Sequence, residues 1–253
     1  MHKLSVLIPS FNSDKYIRAA LESVKWADEI LVCDSYSTDK TLEIAKEFGA
    51  KIIQHEYHNS ADQKNWAIQR CVYDWVLIVD TDEALEPELQ NEIRGKLAQE
   101  TVEECGFRIP RKNYIYGRWV KHGGIYPDFQ LRLFRRDRGH YQTRFVHAHP
   151  IINGEVGIFQ HAILHEGFKD LTVWIHKLER YSNYEVEELI RQKKRFSYLR
   201  ITLFPLLVFI RNYFFKLGFL EGSRGLMLAG LDAIYYFTMY AKLYEWERIG
   251  KRR

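Results

Sequence analysis

Strands and helices alternate through the first eighty residues, and few architectures accept that order. Lys3 to Ile8, Glu29 to Cys33, Lys51 to Gln54 and Trp75 to Val79 are short β-rich runs. Between the first two, Ile17, Ala20, Leu21 and Val24 recur at helical spacing after Asn12, Ser13 and Asp14, which are good cap residues. A second helix is expected from about Thr41 to Phe48, with Gly49 as its natural stop, and a third from Ala61 to Gln69. Such alternation implies a parallel sheet built from βαβ units. Trp75 to Val79 is wholly apolar, bounded by charge and too short for a buried helix, so it reads as a fully buried strand.

From about residue 105 to 165 helical periodicity fades, and Gly, His, Arg and aromatic residues cluster in short runs. Mixed strands and loops are expected there, finishing the sheet and walling a cleft. Residues 171–196 return to a strongly charged helix, and 199–246 are apolar and aromatic. The expected division is a catalytic domain over 1–198 and a C-terminal helical region over 199–253. Hydrophobic residues make up 46% of the chain, enough for a sizeable core. Cys33, Cys71 and Cys105 are too few and scattered for a disulfide framework or a zinc site, and an odd count fits a reducing compartment. Met1 leads directly into the first strand with no signal or transit pattern, so a cytosolic location is expected.

The buried fourth strand ends in Asp80-Thr81-Asp82-Glu83. Two carboxylates one residue apart at a strand tip can converge on one hard divalent cation, with substrate phosphates completing the shell. The tip of a parallel strand is also where open α/β sheets place ligands. A solvated acidic turn is the competing reading of an isolated Asp-x-Asp. Asp34, at the second strand's tip, suits contact with a base or ribose, whereas Asp39 before Thr41 reads as a helix cap. No Gly-x-Gly-x-x-Gly follows the first strand, and the chain has no P-loop and no early glycine-rich triphosphate loop. What remains is a nucleoside diphosphate held by a metal and a few side chains.

At this point the chain resembles a known family. Ser5 to Asn12, Asp34 to Asp39, Lys64 to Ala67 and Trp75 to Glu83 occur in the order found in family-two glycosyltransferases of GT-A fold. Tyr126 to Phe134, and the ending Phe219 to Glu245, are similar to the bacterial lipopolysaccharide-core branch, whose members add β-linked glucose to inner-core heptose. The resemblance implies an α/β GT-A fold, a Rossmann-like mixed sheet flanked by helices with a C-terminal helical appendage. It implies a UDP-sugar donor and an Mg²⁺ or Mn²⁺ ion. Pro9, Asn12 and Asp34 fall to the uracil and ribose pocket, and Lys64 and Asn65 to the segment near the nucleotide. Asp80 falls to the ribose and metal, and Asp82 to direct metal ligation.

Asp128, in Tyr126-Pro127-Asp128, is the candidate general base, which must reach the acceptor hydroxyl and stay ionised. The competing reading pairs it structurally with Arg132 or Arg135; Arg132 itself is expected either to contact the diphosphate or to fix Asp128. Among His140, His147, His149, His161 and His165, the last resembles the histidine that closes over metal and diphosphate in many GT-A enzymes. His147 and His149 would share one face of a strand. Ile201 to Ile210 is an apolar run well short of the ~20 residues a spanning helix needs. With Arg191 to Arg195, Lys216 and Arg248 to Arg253 around it, it fits a helix lying in the headgroup plane, or else a hairpin packed on the core or a second subunit.

The expectation is therefore an inverting, metal-dependent enzyme on the cytosolic face of the inner membrane. It would move glucose from UDP-glucose to a lipopolysaccharide heptose, with no nucleic-acid partner. The rivals are the same donor chemistry on another surface glycan, lipid-linked sugar or peptide, a non-catalytic nucleotide-binding scaffold at the membrane, and a nucleotidyltransferase.

Overall fold

The computed structural model describes residues 2–142, 149–168 and 170–250. They form two compact units, one of residues 1–112 and 128–166, the other of 113–127 and 167–253. The first unit begins β1 (Leu4–Ser10), α1 (Ile17–Val24), β2 (Glu29–Asp34), α2 (Thr41–Glu47), β3 (Lys51–Gln54), α3 (Ser60–Ile68) and β4 (Trp75–Ile78). It continues with β5 (Glu83–Leu85), α4 (Pro87–Leu97) and β6 (Gly106–Ile115). The last residues of β6 reach into the second unit, where they pair with β7 (Arg118–Trp119). The chain then returns through β8 (Asp128–Arg135), β9 (Gly139–Tyr141), β10 (Pro150–Ile152), β11 (Val156–Ile158) and β12 (Ile163–Phe168).

Among the described residues the main sheet runs β3-β2-β1-β4-β8-β6-β12-β5, with β7 and β11 also on β6. The first four strands are parallel, as the alternation of the sequence requires, and β8 joins β4 antiparallel. Leu7, Leu77, Ile78 and Phe134 are fully buried, and cores lie on both faces of the sheet. That is the mixed, helix-flanked GT-A arrangement the sequence led us to expect.

Two local features differ from the expectation. Residues 83–104, to which no element was assigned, carry β5 and α4. Pro87 opens α4, and Leu89, Ile93 and Leu97 form its buried stripe. Asn12 and Ser13 do not cap α1 with their side chains: Asn12 Oδ1 accepts the Thr38 N–H at 2.9 Å instead, and Asn12 adopts φ 43°. The Asn12 side chain ties the tip of β1 to the loop after β2, while the Ser13 hydroxyl donates to the Phe11 carbonyl at 2.9 Å.

The second unit contains α5 (Leu171–Arg191), α6 (Tyr198–Ile210), a π-helical turn (Arg211–Phe215), a 3₁₀ turn (Gly218–Glu221) and α7 (Ser223–Arg248). It starts earlier than the boundary expected at residue 199, because Val186, Leu189 and Ile190 of α5 pack with Met239, Tyr240 and Leu243 of α7. The helical stretch Tyr198–Phe215 is 18 residues, longer than the Ile201 to Ile210 run, and by length and composition alone it could cross a membrane. Only 17% of it is buried.

Gly225 sits where α7 meets the 3₁₀ turn, and a Cβ there would overlap the Gly218 carbonyl. Both contacting groups are backbone, so relief requires the turn to move. Gly225→Ala is expected to destabilise the second unit by about 1–3 kcal/mol, read as a lowered thermal midpoint in calorimetry.

Candidate active site

The tips of β1 and β2 are locked to one another through Asp34. Its carboxylate is fully buried and accepts hydrogen bonds from Ser10 Oγ at 3.0 Å and the Ser37 N–H at 2.8 Å, and from Ser37 Oγ and Gln54 Nε2. Asp34 therefore shapes this edge from beneath, with little acceptor capacity left for a ligand. Pro9 lies in β1 opposite Cys33, half-buried, while Asn12 is exposed. Phe11 and Tyr36 project from the same tips, 59% and 57% exposed. Tyr36 holds φ 60°, a left-handed conformation uncommon for an aromatic residue and often found at functional sites. Asp39, as expected, turns its carboxylate to the Thr41 N–H at 3.0 Å.

One further strand along, the tip of β4 opens a ladder of alternating charge. Asp80 lies 3.2 Å from Lys64 Nζ and 2.6 Å from Arg132 Nη2. The same Arg132 nitrogen reaches Glu83 Oε1 at 2.6 Å, and Arg111 Nη1 reaches that oxygen at 3.2 Å. Arg111 then grips Asp128 Oδ2 with Nε at 2.9 Å and Nη2 at 2.7 Å, and Gln130 donates to Asp128 Oδ1 at 2.6 Å. Glu83 is fully buried, and its second oxygen accepts the Asp80 N–H at 3.0 Å.

This corrects the expected partners of Asp128. They are Arg111 and Gln130, because antiparallel pairing of β6 and β8 sets Arg111 directly opposite Asp128. Arg132 turns to Asp80 and Glu83, and Arg135 to Asp137 at 3.2 Å. Asn65 does not join the ladder: both ends of its amide bond the backbone of Tyr141, at 2.8 Å each.

Burial works to raise the Asp80 pKa, but Arg132 and Lys64 outweigh it and hold the carboxyl well below the usual carboxylate range. Burial likewise works against the Lys64 and Arg132 cations, and Asp80, joined by Glu83 at Arg132, reverses it, so both pKa values rise. A carboxyl depressed on folding stabilises the protein above its unfolded pKa. The stabilisation from Asp80 is thus present at neutral pH and lost only below about pH 4, as acid approaches the folded value.

Two residues beyond Asp80, Asp82 meets a histidine. Its carboxylate lies 3.5 Å from His165 Nε2, brought there by antiparallel pairing of β12 with β5. A carboxylate and an imidazole at that separation suit one divalent ion that keeps waters and phosphate oxygens in its shell. Asp80, already engaged by two cations, is the weaker candidate ligand. Among the described residues no three His, Cys, Asp or Glu side chains form a closed metal cluster. His161 bonds Glu92 at 2.9 Å, His140 is exposed, and His147 lies outside the described residues. A cavity of about 340 Å³ adjoins the ladder, lined in part by Lys64, Asp80, Arg111, Arg132, Tyr141 and His149.

Glu83, Arg111 and Tyr141 belong to the site as well, though the sequence pattern assigns them no role. Glu83 was visible as a third acid directly after a buried strand. Arg111 carried no comparable signal, since its importance follows from strand register.

The sequence profile described as Glycosyl transferase family 2 matches residues 5–159. A Rickettsia typhi glycosyltransferase, RT0209, is 29% identical over 97% of this chain and 88% of its own length. The lipopolysaccharide core biosynthesis glycosyltransferase LpsC of Rhizobium meliloti is 28% identical over 96% of this chain and 92% of its own. Among solved structures, residues 1–349 of Staphylococcus aureus TarS in complex with UDP-GlcNAc superimpose with a TM-score of 0.52. That match has 16% identity and covers 98% of this chain and 92% of that one, a likeness of fold.

Removing the Glu83 charge leaves Arg111 and Arg132 with a shared, vacated counter-ion in a buried setting. Glu83→Gln is expected to lower unfolding free energy on the order of 3–5 kcal/mol at neutral pH, measured by urea titration.

Proposed function

The chain belongs to glycosyl transferase family 2, and from that premise we propose an inverting, metal-dependent enzyme that moves glucose from UDP-glucose to a lipopolysaccharide inner-core heptose. The observation that carries the reading is the convergence, at one edge of the sheet, of Asp80, Asp82 and Asp128 with Lys64, Arg132 and His165. A purely structural turn has no use for that set. The match to LpsC favours a lipopolysaccharide-type acceptor. TarS with UDP-GlcNAc shares the fold and is compatible with a UDP-sugar donor.

In this reading Pro9, Asn12 and the loop pinned by Asp34 receive the uridine. Lys64 and Arg132 stand by the diphosphate, with Asp80 holding both cations in place. Asp82 and His165 would hold an Mg²⁺ or Mn²⁺ ion, which when bound offsets charge on the departing diphosphate. Asp128 takes the proton of the acceptor hydroxyl as its oxygen bonds the anomeric carbon from the face opposite the leaving UDP. The bond from the anomeric carbon to the phosphate oxygen breaks, that oxygen and the bonding pair leave with UDP, and the configuration inverts. Arg111 and Gln130 orient the Asp128 carboxylate, so it meets the acceptor in a fixed pose.

The helices of the second unit fit attachment to the cytosolic face of a membrane. Leu199, Leu206, Leu207 and Phe215 are more than half exposed, and Lys193, Lys194, Arg195 and Arg200 are exposed beside them in sequence. Apolar side chains entering the acyl boundary with basic neighbours at the headgroups describe an interfacial helix. An acceptor other than heptose is the second reading of the same donor site.

Three measurements test these proposals. Calorimetric titration with UDP is expected to show binding that strengthens with Mn²⁺ in the wild type and loses that dependence in Asp82→Asn. Asp128→Asn should bind UDP normally yet lose at least about 100-fold in turnover, and near-normal transfer by it rejects Asp128 as the base. In flotation with anionic vesicles, Leu206→Ser/Leu207→Ser should lose most of its bound fraction, and wild-type protein that stays unbound rejects the membrane role.

A further inference from the structure

The cavity beside Asp80 extends beyond what the donor reading uses. Lys64, Asp80 and Arg132 form its near edge, while Arg108, Arg111 and Gln130 stand on β6 and β8. The strand order β1-β4-β8-β6 sets β6 three strand spacings from the uridine edge at β1, roughly 14 Å away at the usual separation. At about 340 Å³ the cavity falls within the roughly 300–1,000 Å³ typical of small-ligand sites.

Its charges are unevenly satisfied. Lys64, Arg111 and Arg132 each face a carboxylate. Arg108 lines the same cavity, is exposed, and has no ion pair among the described residues. An anion entering the cavity would give Arg108 a partner. Two lining residues, Arg111 and Gln130, are also the ones that hold Asp128, so whatever binds here lies next to the candidate base. Phe129, 45% exposed in the lining, adds an apolar face suited to a sugar ring.

We propose that this cavity binds an anionic substituent of the acceptor glycan, a phosphate monoester or a sugar carboxylate, through Arg108. The guanidinium fork matches either anion in bidentate fashion. Seating the anion there brings the neighbouring acceptor sugar to Asp128, so the cavity selects acidic acceptors. The assignment to the acceptor rests on the donor reading given above.

The test measures the acceptor KM of a heptose-terminated lipopolysaccharide core oligosaccharide with wild type and Arg108→Gln. The glycan is used intact, dephosphorylated, or reduced at its carboxylates. Arg108→Gln is expected to raise KM for the intact glycan roughly ten- to hundredfold. Removing one of the two anions should produce a similar rise in the wild type and no further rise in the variant, and the anion that matters identifies the source. UDP affinity, measured by calorimetry, should be the same in both proteins. An unchanged KM in Arg108→Gln, or a wild-type KM indifferent to both removals, overturns the proposal. Weakened UDP binding in Arg108→Gln also overturns it, by giving the cavity to the donor. Wild-type protein that binds no UDP sinks the donor reading instead. The cavity is then judged by titrating the same glycans directly, where Arg108→Gln must weaken binding of the intact one.

Discussion

One buried carboxylate organises the candidate site. Glu83 has no exposed side-chain surface, and it accepts from Arg132, from Arg111 and from the Asp80 backbone. Desolvating an anion of this kind costs several kcal/mol unless its lone pairs are met, and here three donors meet them. The consequence is geometric. Asp80 follows β4 and Asp128 opens β8, yet each is held by an arginine whose other contact is Glu83. The two acids are fixed relative to one another through a shared anion, and neither can shift without disturbing its arginine.

Much of this edge was legible in the chain, for a definite reason. The four parallel strands announce themselves because burial on both faces demands continuous apolar runs, as in Trp75 to Val79. Their tips then bring Asn12, Asp34 and Asp80 to one side whatever the details of packing. Which side chains pair across strands follows a different rule. Arg111 meets Asp128 because β6 and β8 run antiparallel in a register interrupted by a bulge at Phe107 and Arg108. A one-residue slip there would send Arg111 to the other face. Nothing local to Arg111 encodes that. Asn65 makes the same point: its place beside Lys64 suggests the nucleotide, but it closes both hydrogen bonds on Tyr141.

The second unit shows a similar division between what pattern reveals and what packing decides. Its apolar, aromatic character was plain, whereas the continuation of α6 into a π-helical turn was not. That turn buries Asn212, which donates to Asp232 at 2.7 Å and accepts from Arg211 at 2.9 Å. Burial raises the Asp232 carboxyl above its ordinary pKa despite that hydrogen bond. A polar knot of this kind fixes the helix ends where the Gly218 and Gly225 backbones crowd together. The exposed apolar side chains are thus carried on a unit with a defined interior of its own.

Charge balance links the two halves of the functional reading. Along the ladder, three cations (Lys64, Arg132, Arg111) face three carboxylates (Asp80, Glu83, Asp128), and the set is formally neutral. A diphosphate arriving beside it meets well-placed donors but no surplus positive charge. Asp82, just beyond, adds a further negative charge. Under the proposed transfer, a diphosphate left there would draw its counter-charge from outside the ladder, which is the physical ground for proposing Asp82 and His165 as a cation site. On the far side of the cavity, Arg108 has no ion pair among the described residues. On the proposed reading, donor and acceptor recognition draw on different surpluses, an imported ion for the first and a resident guanidinium for the second. A site so divided can discriminate between acceptors without loosening its hold on the nucleotide.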